Sequence, residues 1–70
     1  MGKYYFFFVN GQEYYTDVQI TIYDLINYFN YNPTLLIIEY NSFICRTKTW
    51  KKIFITNKSQ IEIITVVGGG

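Results

Sequence analysis

The chain has 70 residues, a length that suits one small domain. One cysteine and no histidine exclude an internal disulfide and a conventional zinc site. The formal net charge of +1 decides nothing about nucleic acid, and no apolar run approaches the roughly eighteen residues of a membrane span. We therefore expect a domain held together by apolar packing, with no cofactor, no metal and no membrane contact. We also expect no nucleic-acid partner, although the charge does not decide this.

The N-terminal segment predicts a β-hairpin. Residues 3–9, KYYFFFV, favour a strand, Asn10-Gly11 favours a type I′ turn, and residues 12–19 favour the return strand. No small-residue cleavage site follows the aromatic run, so we expect no targeting segment. One face of this aromatic strand must be core, and the other is a candidate partner surface.

A helix is predicted next, in TIYDLINYF (21–29), where the apolar residues recur at helical spacing. Thr21 is a favourable N-cap, and Asp24 can face the free N–H groups of the first turn. The segment NYNP (30–33) ends the helix, because Pro33 disfavours helical backbone angles in the residue before it.

The C-terminal half predicts three more strands, at residues 34–40, 43–47 and 61–67. Residues 48–54 form a helical turn or an irregular loop that Trp50 anchors. The predicted order is β-β-α-β-β-(short helix)-β, an α+β domain with one main helix on a mixed sheet. The first and last strands are apolar on both faces, so we expect them inside the sheet, with separate cover for the second face.

Side chains offer little for catalysis. General acid–base work without histidine would fall to acidic residues, lysine or tyrosine, and the acids are scattered over different elements. Cys45 lies in a predicted strand with no imidazole to activate it, so we interpret it as a small strand residue. We do not expect an enzyme.

Positive charge is concentrated in the C-terminal half, at Arg46, Lys48, Lys51, Lys52 and Lys58. One interpretation is a solvated edge. Another is a docking face for an acidic partner, with Arg46 and Lys48 as candidate contacts. The interleaved aromatic residues leave a platform for single-stranded nucleic acid as a weaker alternative.

The chain ends in Gly68, Gly69 and Gly70. These glycines are either an inert tail after a domain at 1–67 or a functional arm at 68–70. Glycine has no Cβ and can enter a narrow channel, and three extended residues reach roughly 10 Å. The terminal carboxylate, with an ordinary pKa of about 3.3–3.7, is ionised. It could attack an activated phosphate and become an acyl-adenylate.

The chain resembles the ThiS sulfur carriers of thiamine thiazole synthesis, which have the β-grasp (ubiquitin-like) fold. The resemblance covers essentially the whole chain. The segments that carry it are VNG (9–11), TIYDLI (21–26), IIEYN (37–41), Trp50 and IEIITVVGGG (61–70).

The resemblance implies that an E1-like enzyme of the ThiF or MoeB type adenylates Gly70. Sulfur that a desulfurase derives from cysteine then replaces the AMP, and the resulting thiocarboxylate serves thiazole synthase (ThiG). Gly69 would complete the functional Gly-Gly, and Gly68 falls where the family varies. The strand before the tail, with Ile64 and Val66 on one face, would dock the partners.

Three alternatives stay open. MoaD, the small subunit of molybdopterin synthase, shares the fold and the chemistry, although its tail usually carries prolines. The others are a ubiquitin-like modifier and an interaction or RNA-binding β-grasp module with an inert tail. Abundant Ile, Asn, Tyr, Lys and Phe with no Ala are typical of AT-rich coding. This composition predicts the plastid (chloroplast) stroma or a bacterial cytoplasm as the location.

Overall fold

A computed structural model of the chain describes residues 4–66. The regular elements are β1 (Tyr5–Val9), β2 (Gln12–Thr16), α1 (Ile22–Phe29), β3 (Leu36–Tyr40), β4 (Phe43–Cys45) and β5 (Ser59–Thr65). Short 3₁₀ segments lie at Pro33–Leu35 and Thr47–Lys52. The predicted order of elements is confirmed. Of the two alternatives for residues 48–54, the helical turn is the one found, as the 3₁₀ segment Thr47–Lys52.

The strands form one five-stranded sheet in the order β2-β1-β5-β3-β4. β1 and β5 are parallel, and the other neighbours are antiparallel. The first and last strands therefore lie inside the sheet, as predicted. A mixed sheet with one main helix also confirms the predicted α+β class.

The start of α1 follows from local sequence. The Thr21 hydroxyl accepts a hydrogen bond from the backbone N–H of Asp24 at 3.1 Å, and the Asp24 carboxylate accepts one from the N–H of Thr21 at 3.0 Å. This capping box satisfies two N–H groups that the helix leaves free. At the other end Asn30 takes a left-handed conformation and ends the helix before Pro33 is reached.

The core lies between α1, the second 3₁₀ segment and one face of the sheet, which we call the inner face. Trp50 is its largest fully buried side chain, and its indole N–H donates to the carbonyl of Cys45 at 3.1 Å. The other buried apolar residues are Phe7, Val9, Ile22, Leu25, Ile26, Ile38, Ile55, Ile61 and Ile63.

Several predicted strand ends are wrong. The strand predicted at 12–19 ends at Thr16, because the chain there leaves the sheet for the helix. The strand predicted from residue 34 begins at Leu36, since Pro33 starts a 3₁₀ turn that the Asn32 side chain caps.

The C-terminal boundaries also shift. The strand predicted at 43–47 ends at Cys45, and the next 3₁₀ segment begins at Thr47. The strand predicted from residue 61 begins at Ser59, which pairs with β1 in the parallel ladder, and it ends at Thr65. Pairing across the sheet, which local sequence does not reveal, sets these limits.

The second face of the sheet, the outer face, carries the alternate strand residues. Ile37 is 40% exposed there while its neighbour Ile38 is 0% exposed on the inner face. No element within residues 4–66 covers the outer face, so the expected separate cover is absent from the part of the chain described. The outer face consists of Phe6, Phe8, Glu13, Tyr15, Ile37, Glu39, Ile44, Gln60, Glu62 and Ile64.

Candidate functional site

The predicted modification site, Gly70, and the tail glycines Gly68 and Gly69 lie outside the described residues. So does residue 67, the last of the predicted domain 1–67. The structure does describe the residues that precede this segment, the C-terminal half of β5 and Val66. The geometry of these residues is therefore the structural information available about how Gly70 would be presented.

Two neighbouring strands hold β5 unequally along its length. β1 pairs with β5 only as far as Ile61, whereas β3 pairs with it as far as Thr65. The N–H of Val66 then donates to the carbonyl of Leu35 at 2.8 Å. The last residues before the tail are thus fixed to the sheet from the β3 side.

On the β1 side, backbone pairing with β5 stops where β1 turns. The side chain of Asn10 hydrogen-bonds to β5 beyond that point. The Asn10 Oδ1 atom accepts from the N–H of Ile63 at 2.7 Å, and Nδ2 donates to the carbonyl of Ile63 at 3.2 Å. The backbone N–H of Asn10 also donates to the carbonyl of Ile61 at 2.9 Å. One side-chain amide therefore replaces a missing strand residue beside β5.

Asn41 makes a similar contact near the start of β5. Its Oδ1 accepts from the N–H of Gln60 at 2.8 Å, and its own N–H donates to the carbonyl of Gln60 at 2.7 Å. Asn10 and Asn41 both have a φ of 50°, a left-handed conformation that asparagine tolerates better than most residues. The sequence identified Asn10 as a turn residue but did not reveal that either asparagine clamps β5.

The predicted docking residues Ile64 and Val66 are both exposed and separated by the two-residue period of a strand. Ile64 lies opposite Ile37 of β3, and all three side chains are exposed. We call Ile37, Ile64 and Val66 the tail-base patch. It is apolar surface that includes the last described residue before the tail in the sequence.

The charge beside this patch is negative. The charged residues of the five strands are Glu13, Glu39 and Glu62, and all of them lie on the outer face. Glu39 and Glu62 are directly opposite each other. The nearby charge of Glu13 raises the pKa of the Tyr15 hydroxyl above its ordinary value, with their hydrogen bond and burial adding to the rise.

The predicted basic contacts, Arg46 and Lys48, do not join this patch. They follow β4, an edge strand, and β3 lies between β4 and β5. Lys51 in the same 3₁₀ segment places its ammonium 4.7 Å from the ring centre of Tyr23 on α1. The structure thus connects the basic segment with the helix and keeps it apart from the tail-base patch.

Cys45 shows no sign of activation as a nucleophile. Its half-buried thiol lies 3.7 Å from the carbonyl oxygen of Phe43, to which it donates. Burial raises the pKa of this thiol, and a hydrogen bond from the Tyr40 backbone opposes the rise. A raised pKa lowers the thiolate fraction at neutral pH, the opposite of what a catalytic cysteine needs.

Two other classes of site can be checked over residues 4–66. No three His, Cys, Asp or Glu residues in this range come together as a potential metal site. No helix in the same range is long and apolar enough to cross a membrane.

The family model described as the ThiS family matches residues 7–70. A Trieres chinensis protein named uncharacterized protein ycf40 is 59% identical over 64 residues, which cover 91% of this chain and 88% of that protein. A Porphyra purpurea protein of the same name is 31% identical over 62 residues, covering 89% and 87%.

A solved structure shows the same fold. The thiamine biosynthesis protein (ThiS) from Geobacter metallireducens superposes with a TM-score of 0.79 over 93% of this chain and 99% of that one. The two sequences are only 16% identical, so this likeness supports the β-grasp fold and no residue-level role. The family match covers nearly the whole chain and includes its last residue. The chain belongs to the ThiS family of β-grasp sulfur carriers, which are small carrier proteins and not catalysts.

Proposed function

We propose that this chain carries sulfur as a thiocarboxylate on Gly70 and delivers it to the synthesis of the thiamine thiazole. The observation that supports this most directly is the ThiS family match, which runs through the three terminal glycines to residue 70. No side chain of the protein reacts in this proposal. The chain is a substrate of its partner enzymes.

The proposed chemistry has two steps before transfer. A carboxylate oxygen of Gly70 attacks the α-phosphorus of ATP, forming an acyl-adenylate and releasing pyrophosphate. A sulfur nucleophile at the oxidation level of hydrosulfide, originally from cysteine, then attacks the carbonyl carbon. AMP leaves with the oxygen that linked it to the carbonyl, and the terminus becomes a thiocarboxylate. Thiazole synthase of the ThiG type would accept that sulfur.

The structure suggests how the domain would present such a terminus. The amide of Asn10 holds β5 on one side as far as Ile63, and the pairing with β3 holds it on the other side as far as Thr65. We propose that residues 1–67 are the rigid domain and that Gly68–Gly70 are the arm. Glycines suit this arm because a backbone without side chains fits a narrow active site.

We propose the tail-base patch as the docking surface for the E1-like ThiF- or MoeB-type enzyme and for thiazole synthase. Ile64 and Val66 are exposed, apolar and next to the arm, so a partner that contacts them is positioned to receive Gly70. Arg46 and Lys48 lie beyond the neighbouring strand and are proposed as a separate contact for an acidic surface.

The relatives' name, ycf40, denotes a plastid-genome reading frame and supports the plastid stroma as the location.

The carrier chemistry is tested by incubating the protein with ATP, a ThiF-type enzyme and a sulfur donor. We expect the intact mass to rise by the difference between a sulfur and an oxygen atom, with the change located at Gly70 by fragmentation. A variant lacking Gly70 is the control and should keep its fold but show no change. An unaltered mass, while a known carrier reacts in parallel, would show the proposal to be wrong.

The pathway is tested separately by partner choice. The protein carrying the thiocarboxylate is mixed with thiazole synthase and, in parallel, with the large subunit of molybdopterin synthase. We expect a complex and sulfur transfer with thiazole synthase only. Transfer to the molybdopterin-synthase subunit would assign the carrier to that pathway instead. Formation of an amide with lysine residues would identify a ubiquitin-like modifier.

A further inference from the structure

The free edge of β2 presents unpaired backbone groups. β2 is the edge strand of the sheet, next to β1 only. The two-residue turn makes Val9 and Gln12 a hydrogen-bonded pair, and such pairs alternate along an antiparallel ladder. The backbone N–H and C=O groups of Glu13 and Tyr15 consequently face away from β1. They are available to another strand.

An apolar groove lies beside this free edge. It encloses about 400 Å³ between β2, the loop after it and α1. Leu25 at its base is buried, whereas Tyr28 on its rim is 79% exposed. We call it the β2–α1 groove, and its main apolar lining consists of Tyr14, Val18, Ile20, Leu25, Tyr28 and Phe29.

The charge around the groove is negative. Asp17 and Asp24 line it, and no lysine or arginine does. Asp24 already uses one carboxylate oxygen to accept from the N–H of Thr21, while Asp17 lies in the exposed loop directly after β2. Glu13 adds a third carboxylate on β2, on the outer side of the strand and not in the groove itself.

We propose that the β2–α1 groove binds an extended segment of a partner protein in which apolar and basic residues alternate. The segment adds to β2 as a strand and forms backbone hydrogen bonds with Glu13 and Tyr15. Its residue beside Tyr14 points to the inner side, as Tyr14 does, and fills the groove. The adjacent residues point to the outer side, where a lysine or arginine meets Glu13, and a basic residue at the end meets Asp17.

The same charges disfavour a second copy of this chain as the occupant. Pairing β2 with β2 of another copy would bring the Glu13 and Asp17 carboxylates of both copies to one junction. Like charges across paired strands are destabilising. A basic segment meets opposite charges instead, which also accelerates association.

The test is a titration of the ¹⁵N-labelled full chain with the peptide acetyl-Lys-Ile-Lys-Ile-Lys-amide, followed by NMR. We expect saturable shifts of the Glu13 and Tyr15 amides and slower hydrogen exchange at both. A matched peptide with glutamate in place of lysine should bind about tenfold more weakly or not at all, because it meets the three carboxylates. A peptide with a central proline should bind as weakly, because it cannot complete the strand.

Variants locate the binding site. We expect Tyr28→Ala and Asp17→Lys each to weaken the lysine peptide about fivefold, through lost apolar contact and reversed charge. Phe43→Ala removes an aromatic ring that is 76% exposed on the other edge of the sheet, and it should change nothing.

Three results would overturn the proposal. They are the absence of shifts at Glu13 and Tyr15 at millimolar peptide, equal binding of all three peptides, and a dimer that protects the β2 amides without peptide. Thiocarboxylate formation at Gly70 is measured on the same Tyr28→Ala and Asp17→Lys variants and should be unchanged. The proposal that the groove binds a peptide and the proposal that Gly70 carries sulfur can therefore be disproved independently of each other.

Discussion

The two faces of the sheet are made from the same strands and have opposite properties. On the inner face Phe7, Ile38 and Ile61 are buried under α1 and the second 3₁₀ segment. On the outer face the alternate residues, apart from Gln60, are apolar, aromatic or acidic, and most are exposed. The difference shows how a small domain uses each strand twice. Every second side chain packs in the core and stabilises the fold, and the side chains between them stay exposed and available to contact a partner protein.

The faces also differ in what a substitution should do. An inner-face change acts on the free energy of unfolding, which is only about 5–15 kcal/mol for domains in general. An outer-face change should leave stability nearly unaltered and act on association. Substitutions on both faces test this division, from the largest expected change in stability to the smallest.

Trp50→Ala should have the largest effect. The substitution removes the largest fully buried side chain and its hydrogen bond to the Cys45 carbonyl. A buried aromatic residue truncated to alanine typically costs about 3–5 kcal/mol. Urea unfolding followed by circular dichroism measures the loss, and Phe43→Ala, at an exposed ring, is the control with almost no change. Equal stabilities for the two variants would contradict the described core.

Asn10→Ala should lower the free energy of unfolding by about 1–3 kcal/mol, because it leaves the N–H and C=O of Ile63 without their partner. Alanine also tolerates the left-handed backbone poorly. Asn10→Gly is the informative control, since glycine accepts that backbone and still lacks the amide. If Asn10→Gly were as stable as the parent, the amide clamp would contribute nothing.

Ile64→Lys should change stability by no more than about 0.5 kcal/mol, because the side chain is 44% exposed. We expect it to slow thiocarboxylate formation about tenfold by weakening the docking of the adenylating enzyme. Ile63→Lys is the matched control one residue earlier. Its side chain is 7% exposed, so the buried charge should unfold the domain. If Ile64→Lys formed the thiocarboxylate at the normal rate, Ile64 would not be part of the docking surface.

The alkylation rate of Cys45 should show how well the inner side of the sheet is shielded from solvent. Titration of this thiol should not alter the free energy of unfolding near neutral pH. Burial raises the pKa of its thiol, so alkylation by iodoacetamide should be slower than in the urea-unfolded chain and should accelerate at higher pH. The contribution of the protonated thiol is complete below the unfolded pKa and is lost as pH rises through the folded pKa. Identical pH profiles for folded and unfolded chains, measured by mass spectrometry, would show that the thiol is not shielded.

The sequence predicted the elements that depend on a few neighbouring residues. Asn10-Gly11 specified the hairpin turn, and Thr21 with Asp24 specified the helix start, because these signals act over two to three positions. Strand ends were less predictable. Pro33 shortened β3 through a local turn, but the early start of β5 at Ser59 depended on pairing with a strand about fifty positions away.

The candidate site divides in the same way. The sulfur-carrier family was predicted from sequence, and Gly70 is proposed from it as the modified residue, because a glycine tail and a family resemblance are visible in the residues themselves. The strand order, the amide clamp of Asn10 on Ile63 and the β2–α1 groove were decided only by tertiary structure. Each joins residues far apart in the chain, and a local pattern specifies which residues are apolar or turn-forming but not which distant partner they will meet.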